Sequence, residues 1–437
     1  MFYISKEQEL TTELLQKMIN KFVVNVRPKL KRWKDYYDGK HTNTGGSQDF
    51  VVTNFCRQIA QTYNGYIVGK PVTYTSNDDI TDVQEVINYN DDNAENIAWC
   101  LNALVHGVGY ELQWLDSTSQ SRYSQVNPLN AFAVYDNTLD SNLLYFVRWY
   151  DADSLDDSDT YYLEVYSAES KKVYKTRGLV GSLEFVSEEL HYFKDVPVSV
   201  FWLNDSEESI FDCVMPLNDA YNRLQSSEIA DYSAWLDSYL LLSGMDADAA
   251  DIAEMKANRV LILPEGGTAQ WLTKSATDTQ ITNMLENLKK NIFKISAAPD
   301  MGDENFMAQS GVAIEYKLVG FENTASGIVA NFTKAIQRRI ELICNVLNLK
   351  ASEAVWRDIN INFVRNLPAN VTEKVQLVNA LKGTVSDGTL LSMLGIIDDI
   401  QSELEAVKKQ KEENMSLFGG NFFENEDENE DSDELVE

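Results

Sequence analysis

Apolar residues return at steps of three and four through Ile314, Leu318, Phe321, Ala325, Ile328, Phe332, Ile336, Ile340, Ile343 and Leu347. That spacing builds one continuous stripe and predicts a single helix over 311–347, with Ser310 at its N-cap. At 1.5 Å per residue such a rod is about 55 Å long. Gly320 and Gly327 weaken a coiled-coil reading and invite close packing instead. A second helix is expected over 278–296, opened by the capping box Thr277-Asp278-Thr279-Gln280. Its stripe is narrow (Ile281, Leu285, Leu288, Ile292, Ile295), and Lys289, Lys290 and Lys294 fall off it. Ala297-Ala298-Pro299 ends it, because a residue before proline avoids the α region. Between the two rods, 300–309 (Asp-Met-Gly-Asp-Glu-Asn-Phe-Met-Ala-Gln) reads as a mobile acidic loop.

Upstream, 5–35 reads as helix through Leu10, Leu14, Leu15, Met18 and Ile19, broken or restarted at Pro28. Arg27, Lys29, Lys31, Arg32 and Lys34 alternate with Trp33, Tyr36 and Tyr37. Such a mixture can grip nucleic acid, but more often it is a solvated helix face with inward aromatics. A polar loop over 39–47 leads to a helix at 54–68 and a strand at 72–75. The acidic run 78–96 is expected to be a solvated loop and helix, and 97–105 a helix giving way at Gly107 and Gly109 to a strand at 110–115. Strand patterns follow at 131–135, 143–150, 161–166, 172–175, 184–186 and 198–202, with an acidic hairpin tip at 151–159. Helix returns over 212–239, although Ser226, Ser227 and Glu228 interrupt its stripe. A compact insert comes next: strands at 240–242, 259–263 and 269–273 around an acidic helix at 246–258 and a turn at 264–267. After the long helix, a strand at 358–364 precedes helices at 372–382 and 389–414. The fold class is α+β.

Composition narrows the chemistry. A length of 437 residues allows two to four domains, and 44% hydrophobic content implies a folded chain. Net charge is −31, which disfavours wrapping nucleic acid through a broad basic surface. Cys56, Cys100, Cys213 and Cys344 make no CxxC pair and read as buried free thiols, and three scattered histidines make no metal site. No apolar run is long enough to cross a membrane, and no leader pattern opens the chain. The run GYIVGKP at 65–71 is superficially similar to a phosphate loop, but it lacks the four-residue glycine spacing and the following Ser/Thr. Acid clusters at Asp300/Asp303/Glu304, Asp78/Asp79/Asp82 and Asp398/Asp399 leave open a Mg²⁺-dependent phosphodiesterase or nuclease, and the charge leaves open an acidic scaffold protein. From Asn421 the chain holds nine acids and no base, a composition expected to be disordered.

The order of parts resembles the portal (head-to-tail connector) proteins of tailed bacteriophages, in the branch typical of phages with Gram-positive hosts. The stretches that carry the likeness are Tyr36-Tyr37-Asp38-Gly39, Asn54-Phe55-Cys56, GYIVGKPVTY at 65–74, Asp219 to Ser226, Pro299-Asp300-Met301 and Ser310-Gly311-Val312-Ala313. The resemblance implies a ring, usually of twelve subunits, around a channel for double-stranded DNA at one capsid vertex. It implies a wing (1–211 and 311–370), stem helices (212–239 and 275–298), a clip (240–274), a tunnel loop (299–310) and a crown (371–415), followed by the tail from 416. Its tunnel-loop residues would be Asp300, Asp303, Glu304, Asn305, Phe306, Met307 and Gln309, with Lys289, Lys290 and Lys294 on the channel side of the stem. Clip residues Asp246, Asp248, Asp251, Glu254 and Glu265 would meet the terminase motor and later the head-completion or adaptor proteins. Major capsid and scaffolding proteins would be further partners, in the host cytoplasm during assembly and then in the virion. No catalytic residue, cofactor, metal or membrane contact is implied. Twelve copies of −31 sum to about −372, a field that repels DNA rather than holding it.

Overall fold

A computed structural model describes residues 2–42, 50–151, 159–236, 239–243, 248, 252–253, 257, 266–272, 278–302, 311–347, 355–366, 378–394, 403–404 and 406–411. The expectations for Thr277, Ser310, the strand 259–263, Asp398, Asp399 and the acidic tail lie outside these residues, as does most of the helix 246–258.

The chain opens on a short strand, β1 (Phe2–Ile4), too brief to announce itself by alternation. Helix α1 (Thr12–Lys21) begins where the Thr11 hydroxyl accepts the Leu14 amide. It passes through a π turn, Phe22–Val26, directly into α2 (Arg27–Tyr37). Pro28 sits in the first turn of α2, where its missing N–H removes no helix bond, so the rod restarts without stopping. Next come α3 (Phe55–Val68), β2 (Thr73–Thr75), α4 (Thr81–Tyr89) and α5 (Asp92–His106). The run 65–71 is the end of α3 and the turn after it, as the sequence predicts. Gly107 terminates α5 with φ +76, and a Cβ there would lie 2.7 Å from the Glu207 backbone.

The strands β3 (Val108–Leu115), β4 (Ser121–Val126), β5 (Ala131–Asp136), β6 (Leu143–Asp151), β7 (Thr160–Tyr166), β8 (Ser170–Arg177), β9 (Glu184–Leu190) and β10 (Val198–Trp202) form two sheets. One has the order β1-β5-β6-β7-β8-β9, an antiparallel meander that β1 joins in parallel, Phe2 opposite Val134. The other is β10-β3-β4. Strand β4 (SRYSQV) is polar at four of its six positions, so the apolar pattern missed it. The rest is α6 (Met215–Leu236), β11 (Tyr239–Ser243), β12 (Thr268–Leu272), α7 (Asp278–Ser296), α8 (Gly311–Leu347), β13 (Asn360–Asn362) and α9 (Asp387–Leu394).

The predicted stripe of α8 is buried from Leu318 through Ile343 and forms the spine of the main core. Phe332 stacks on Phe201 with centroids 4.5 Å apart and meets Trp99 edge-on at 5.2 Å. Each such side chain taken fully out of water contributes roughly 1.5–3 kcal/mol, which is why one rod organises both sheets. Gly320 and Gly327 are not close-packing sites within the chain. A Cβ on Gly327 would meet nothing within 4 Å, and one on Gly320 only Ala297 at 4.0 Å. Cys213 is exposed rather than buried, whereas the other three thiols are inside as expected.

Candidate functional site: a helix pair and its anchorage

Helices α6 and α7 leave the body and return to it, with β11 and β12 paired beyond them, Tyr239 opposite Leu272 and Ser243 opposite Thr268. The base of α6 is held by hydrogen bonds more than by apolar burial. Asn218, Asn222 and Ser226, spaced by four, lie on one face of the helix and are all buried. Asn218 Nδ2 donates to the Thr53 carbonyl at 2.8 Å, the Thr53 amide donates to Asn222 Oδ1 at 2.9 Å, and the Val51 amide donates to Ser226 Oγ at 3.0 Å. This polar ladder holds the backbone of 51–53 through side chains of α6. Ser226 therefore does not interrupt a stripe; it is the last rung of a second one.

Helix α2 braces the same base. Trp33 Nε1 donates to Asp212, and Tyr36 Oη donates to Asp219 at 2.7 Å. Burial raises the Tyr36 pKa, so the phenol remains a donor. His41 lies against the Tyr36 ring with centroids 4.6 Å apart, its Nε2 3.1 Å from the Tyr36 carbonyl and its Nδ1 3.1 Å from Asn222 Nδ2. Those partners need Nε2 to donate and Nδ1 to accept, which only the neutral ring does, and burial lowers the His41 pKa accordingly. The basic-aromatic stretch of α2 is thus the expected helix face, its Trp33 and Tyr36 turned inward.

Helix α7 packs on α6, and its lower apolar stripe is only half covered. Ile292 and Phe293 are buried in the body, Ile281, Leu285 and Leu288 are intermediate, and Met284 is 58% exposed. Ile295, expected on the stripe, is 54% exposed; Phe293 takes its place, its ring edge-on to Phe55 at 5.7 Å. The exit of α7 is closely held. Tyr63 Oη donates to the Ser296 carbonyl at 2.9 Å, Ala297 takes a left-handed φ of +55, and Ala298 is buried. Lys289 Nζ pairs with Asp300 Oδ2 at 2.7 Å while Asp300 Oδ1 accepts the Gly302 amide. Lys290 pairs loosely with Glu286 at 3.8 Å, and Lys294 is exposed and forms no ion pair among the described residues. Asp303, Glu304, Asn305, Phe306, Met307 and Gln309 lie outside the described residues, as do Asp246, Asp251, Glu254 and Glu265; Asp248 is exposed.

Above this base, Arg339 of α8 is fully buried and clamps the rod to two other elements. Its Nε donates to Glu111 Oε1 on β3 at 2.8 Å, its Nη2 to Glu111 Oε2, and its Nη1 to Asp92 at the start of α5. Asp92 also accepts from Tyr74 at 2.8 Å, Tyr123 at 2.9 Å and Asn96 at 2.8 Å. The guanidinium lies over the rings of Tyr123 and Trp99 at 4.4 and 5.0 Å. Burial alone would lower the Arg339 pKa, but Glu111 and Asp92 hold it well above the usual value. The acidic run 78–96 is expected in solvent. Asp92 and Asn96 are instead inside, because Arg339 supplies the charge that lets a carboxylate be buried. The available signal was an arginine within the stripe, three residues after Ile336.

The remaining acids have ordinary work. Asp79 accepts from the amide and hydroxyl of Thr81, which lowers its pKa, and Asp300 is tied to Lys289. Among the described residues no group of three or more His, Cys, Asp or Glu could hold a metal ion, and no helix is long and apolar enough to cross a membrane.

An α+β body carrying a helix pair, its base hydrogen-bonded and its loop exit pinned, is the build of a structural assembly subunit. Residues 24–417 match the family of phage portal proteins of the SPP1 Gp6-like type, and the chain belongs to that family. It is 23% identical over 355 residues to the portal protein of Clostridium phage phiCD119, across 75% of this chain and 76% of that one. Its fold is similar to a chain in the neck of an empty GTA particle computed with C6 symmetry: TM-score 0.50, 13% identity, 80% of this chain and 91% of the other covered. A chain from the neck of a native GTA particle computed with C12 symmetry covers the same shares at TM-score 0.46 and 12% identity. As a portal protein the chain is a structural, non-enzymatic component of the virion, and the nuclease and acidic-scaffold readings give way to that role.

Proposed function

We propose that twelve copies close into a ring whose channel admits DNA during packaging and releases it later. The observation that carries this reading is the helix pair. Met284, Ile295 and Ile229 leave apolar surface on α7 and α6 that one subunit does not cover, and a head-to-tail neighbour in a closed ring would. In this reading 240–274 is the clip that meets the terminase motor and then the head-completion proteins. Residues 299–310 form the tunnel loop, and 371–415 the crown inside the capsid. Lys290 and Lys294 offset local repulsion of DNA, while Lys289 tethers the loop through Asp300. Sedimentation should give a species of roughly 600 kDa, twelve chains of 49.5 kDa, and negative-stain images should show closed rings. Monomers or two-fold dimers at micromolar concentration would overturn the assignment.

The loop has its own test. Asp303→Lys with Glu304→Lys should leave stability within about 0.5 kcal/mol per site, as surface changes do. In the ring it adds about twenty-four positive charges around the channel, enough to hold phosphates in transit. Proheads should form normally but package slowly, with partial rescue at higher ionic strength. Normal packaging by the double variant would remove the loop from the channel.

A further inference from the structure

A cavity of about 180 Å³ lies where the π turn and α2 meet both sheets, with residues of β1, α5, β3, β5 and β10 also in its lining. Its inner wall is apolar and buried, and Phe22, Trp33 and Phe132 contribute rings to it. Asn25, Lys29 and Ser206 also line it and are exposed, so the cavity opens to solvent on their side. One group of the inner wall is unsatisfied. His106, the last residue of α5, is 2% exposed, and its Nδ1 donates to the Asn102 carbonyl of its own helix at 3.0 Å. Its Nε2, toward the outer end of the ring, is buried with no hydrogen-bond partner among the described residues. Burial lowers the His106 pKa to about 4, so at neutral pH Nε2 is a bare acceptor. The indole donors of the lining are engaged elsewhere, Trp33 Nε1 with Asp212 and Trp202 Nε1 with Tyr135.

We infer that this cavity binds a small uncharged aromatic molecule of the phenol type, whose hydroxyl donates to His106 Nε2. Size fits one substituted ring, since an apolar protein cavity of about 150 Å³ takes benzene. Polarity excludes an ion. The charged groups of the lining, Lys29 and Glu207, are not part of its buried wall, and an ion would lose its hydration there without a counter-charge. Phe22 and Phe132, with centroids 5.4 Å apart, offer ring faces and edges to a third ring. A water suits the inner wall poorly. It needs about two to four polar partners, and His106 Nε2 is the one buried side-chain N or O of the lining left unpartnered among the described residues. The site goes beyond the channel assignment and does not depend on it.

The test uses the full chain with p-cresol and p-xylene as probes, two molecules of one shape that differ by a hydroxyl. A hole without an acceptor prefers p-xylene, because a methyl gains more than a hydroxyl from leaving water. With Nε2 as acceptor, p-cresol should bind at least about fivefold tighter, the worth of satisfying a buried polar atom. The chain has three histidines, so nitrogen-15 labelled imidazole gives a site-resolved signal. Adding p-cresol should move the His106 Nε2 resonance and leave those of His41 and His191 in place. His106→Phe keeps a ring of similar size and should reverse the preference in favour of p-xylene. Should that core variant fold poorly, Ser206→Trp alters only the exposed rim, and it should abolish binding of both probes by closing the mouth. Tighter binding of p-xylene to the unaltered chain, no binding of either probe at low-millimolar concentration, or equal shifts at all three histidines would overturn the inference. So would p-cresol binding that neither variant changes.

Discussion

Arg339 shows how much one side chain can decide. Among the described residues it is the only cation bonded to the two carboxylates that converge there with two tyrosines, and it joins α8 to β3 and α5. Arg339→Met fills a similar volume but leaves Glu111 and Asp92 buried without a counter-charge. Its expected cost is about 3–5 kcal/mol, read as a lowered urea midpoint at unchanged slope. The histidines give a pH dependence of definite sign. His106 is buried, and burial lowers its pKa to about 4. Between that value and its unfolded value near 6.5, the unfolded chain binds the extra proton. His106 stability is therefore complete above pH 6.5 and disappears as pH falls toward 4, by about 3 kcal/mol at ~1.4 kcal/mol per pH unit. His41 and His191, also lowered by burial, act in the same direction. Unfolding measured from pH 7 to 4 should show this loss, and His106→Gln should flatten the profile.

At the scale of elements, the long helix and the helix pair differ in how they are held, and so in how legible they were. The boundaries of α7 and α8 could be read directly, because apolar burial writes a period into the sequence. The anchorage of α6 could not. Asn218, Asn222 and Ser226 look like solvent-facing residues until the backbone of 51–53 lies beside them. The Asp219 to Ser226 run carried the family likeness, yet its physical reason is a set of partners more than 160 positions away. β1 and β4 were illegible for a related reason, since one is three residues long and the other polar, and pairing partners alone make them strands. The candidate loop and clip residues lie outside the described residues, apart from Asp300 and Asp248. The ladder also predicts an outcome. Asn222→Ala strips partners from the Thr53 amide and from His41, and should cost about 1–3 kcal/mol. Hydrogen exchange should accelerate first at Val51 and Thr53, ahead of β5 and β6.

At the scale of the whole molecule, the acidic tail can be tested apart from the body. Deleting 421–437 should leave both the fold and assembly intact, because the segment has too little apolar surface to offset its own ordering entropy. Loss of solubility or of assembly on truncation would show that the tail is structural. The burial of α8 has a further, mechanical consequence. The helix begins at Gly311, and from Leu318 to Ile343 its stripe is held by the core, with Glu322 bonded to Arg365 and Arg339 to Glu111 and Asp92. A rod gripped along most of its length cannot pivot about one point. A sideways push at Gly311 would meet packed side chains within about 11 Å, at 1.5 Å per residue, and be shared along the whole helix instead of becoming rotation. Displacing that end costs core packing, so the body resists it as one block.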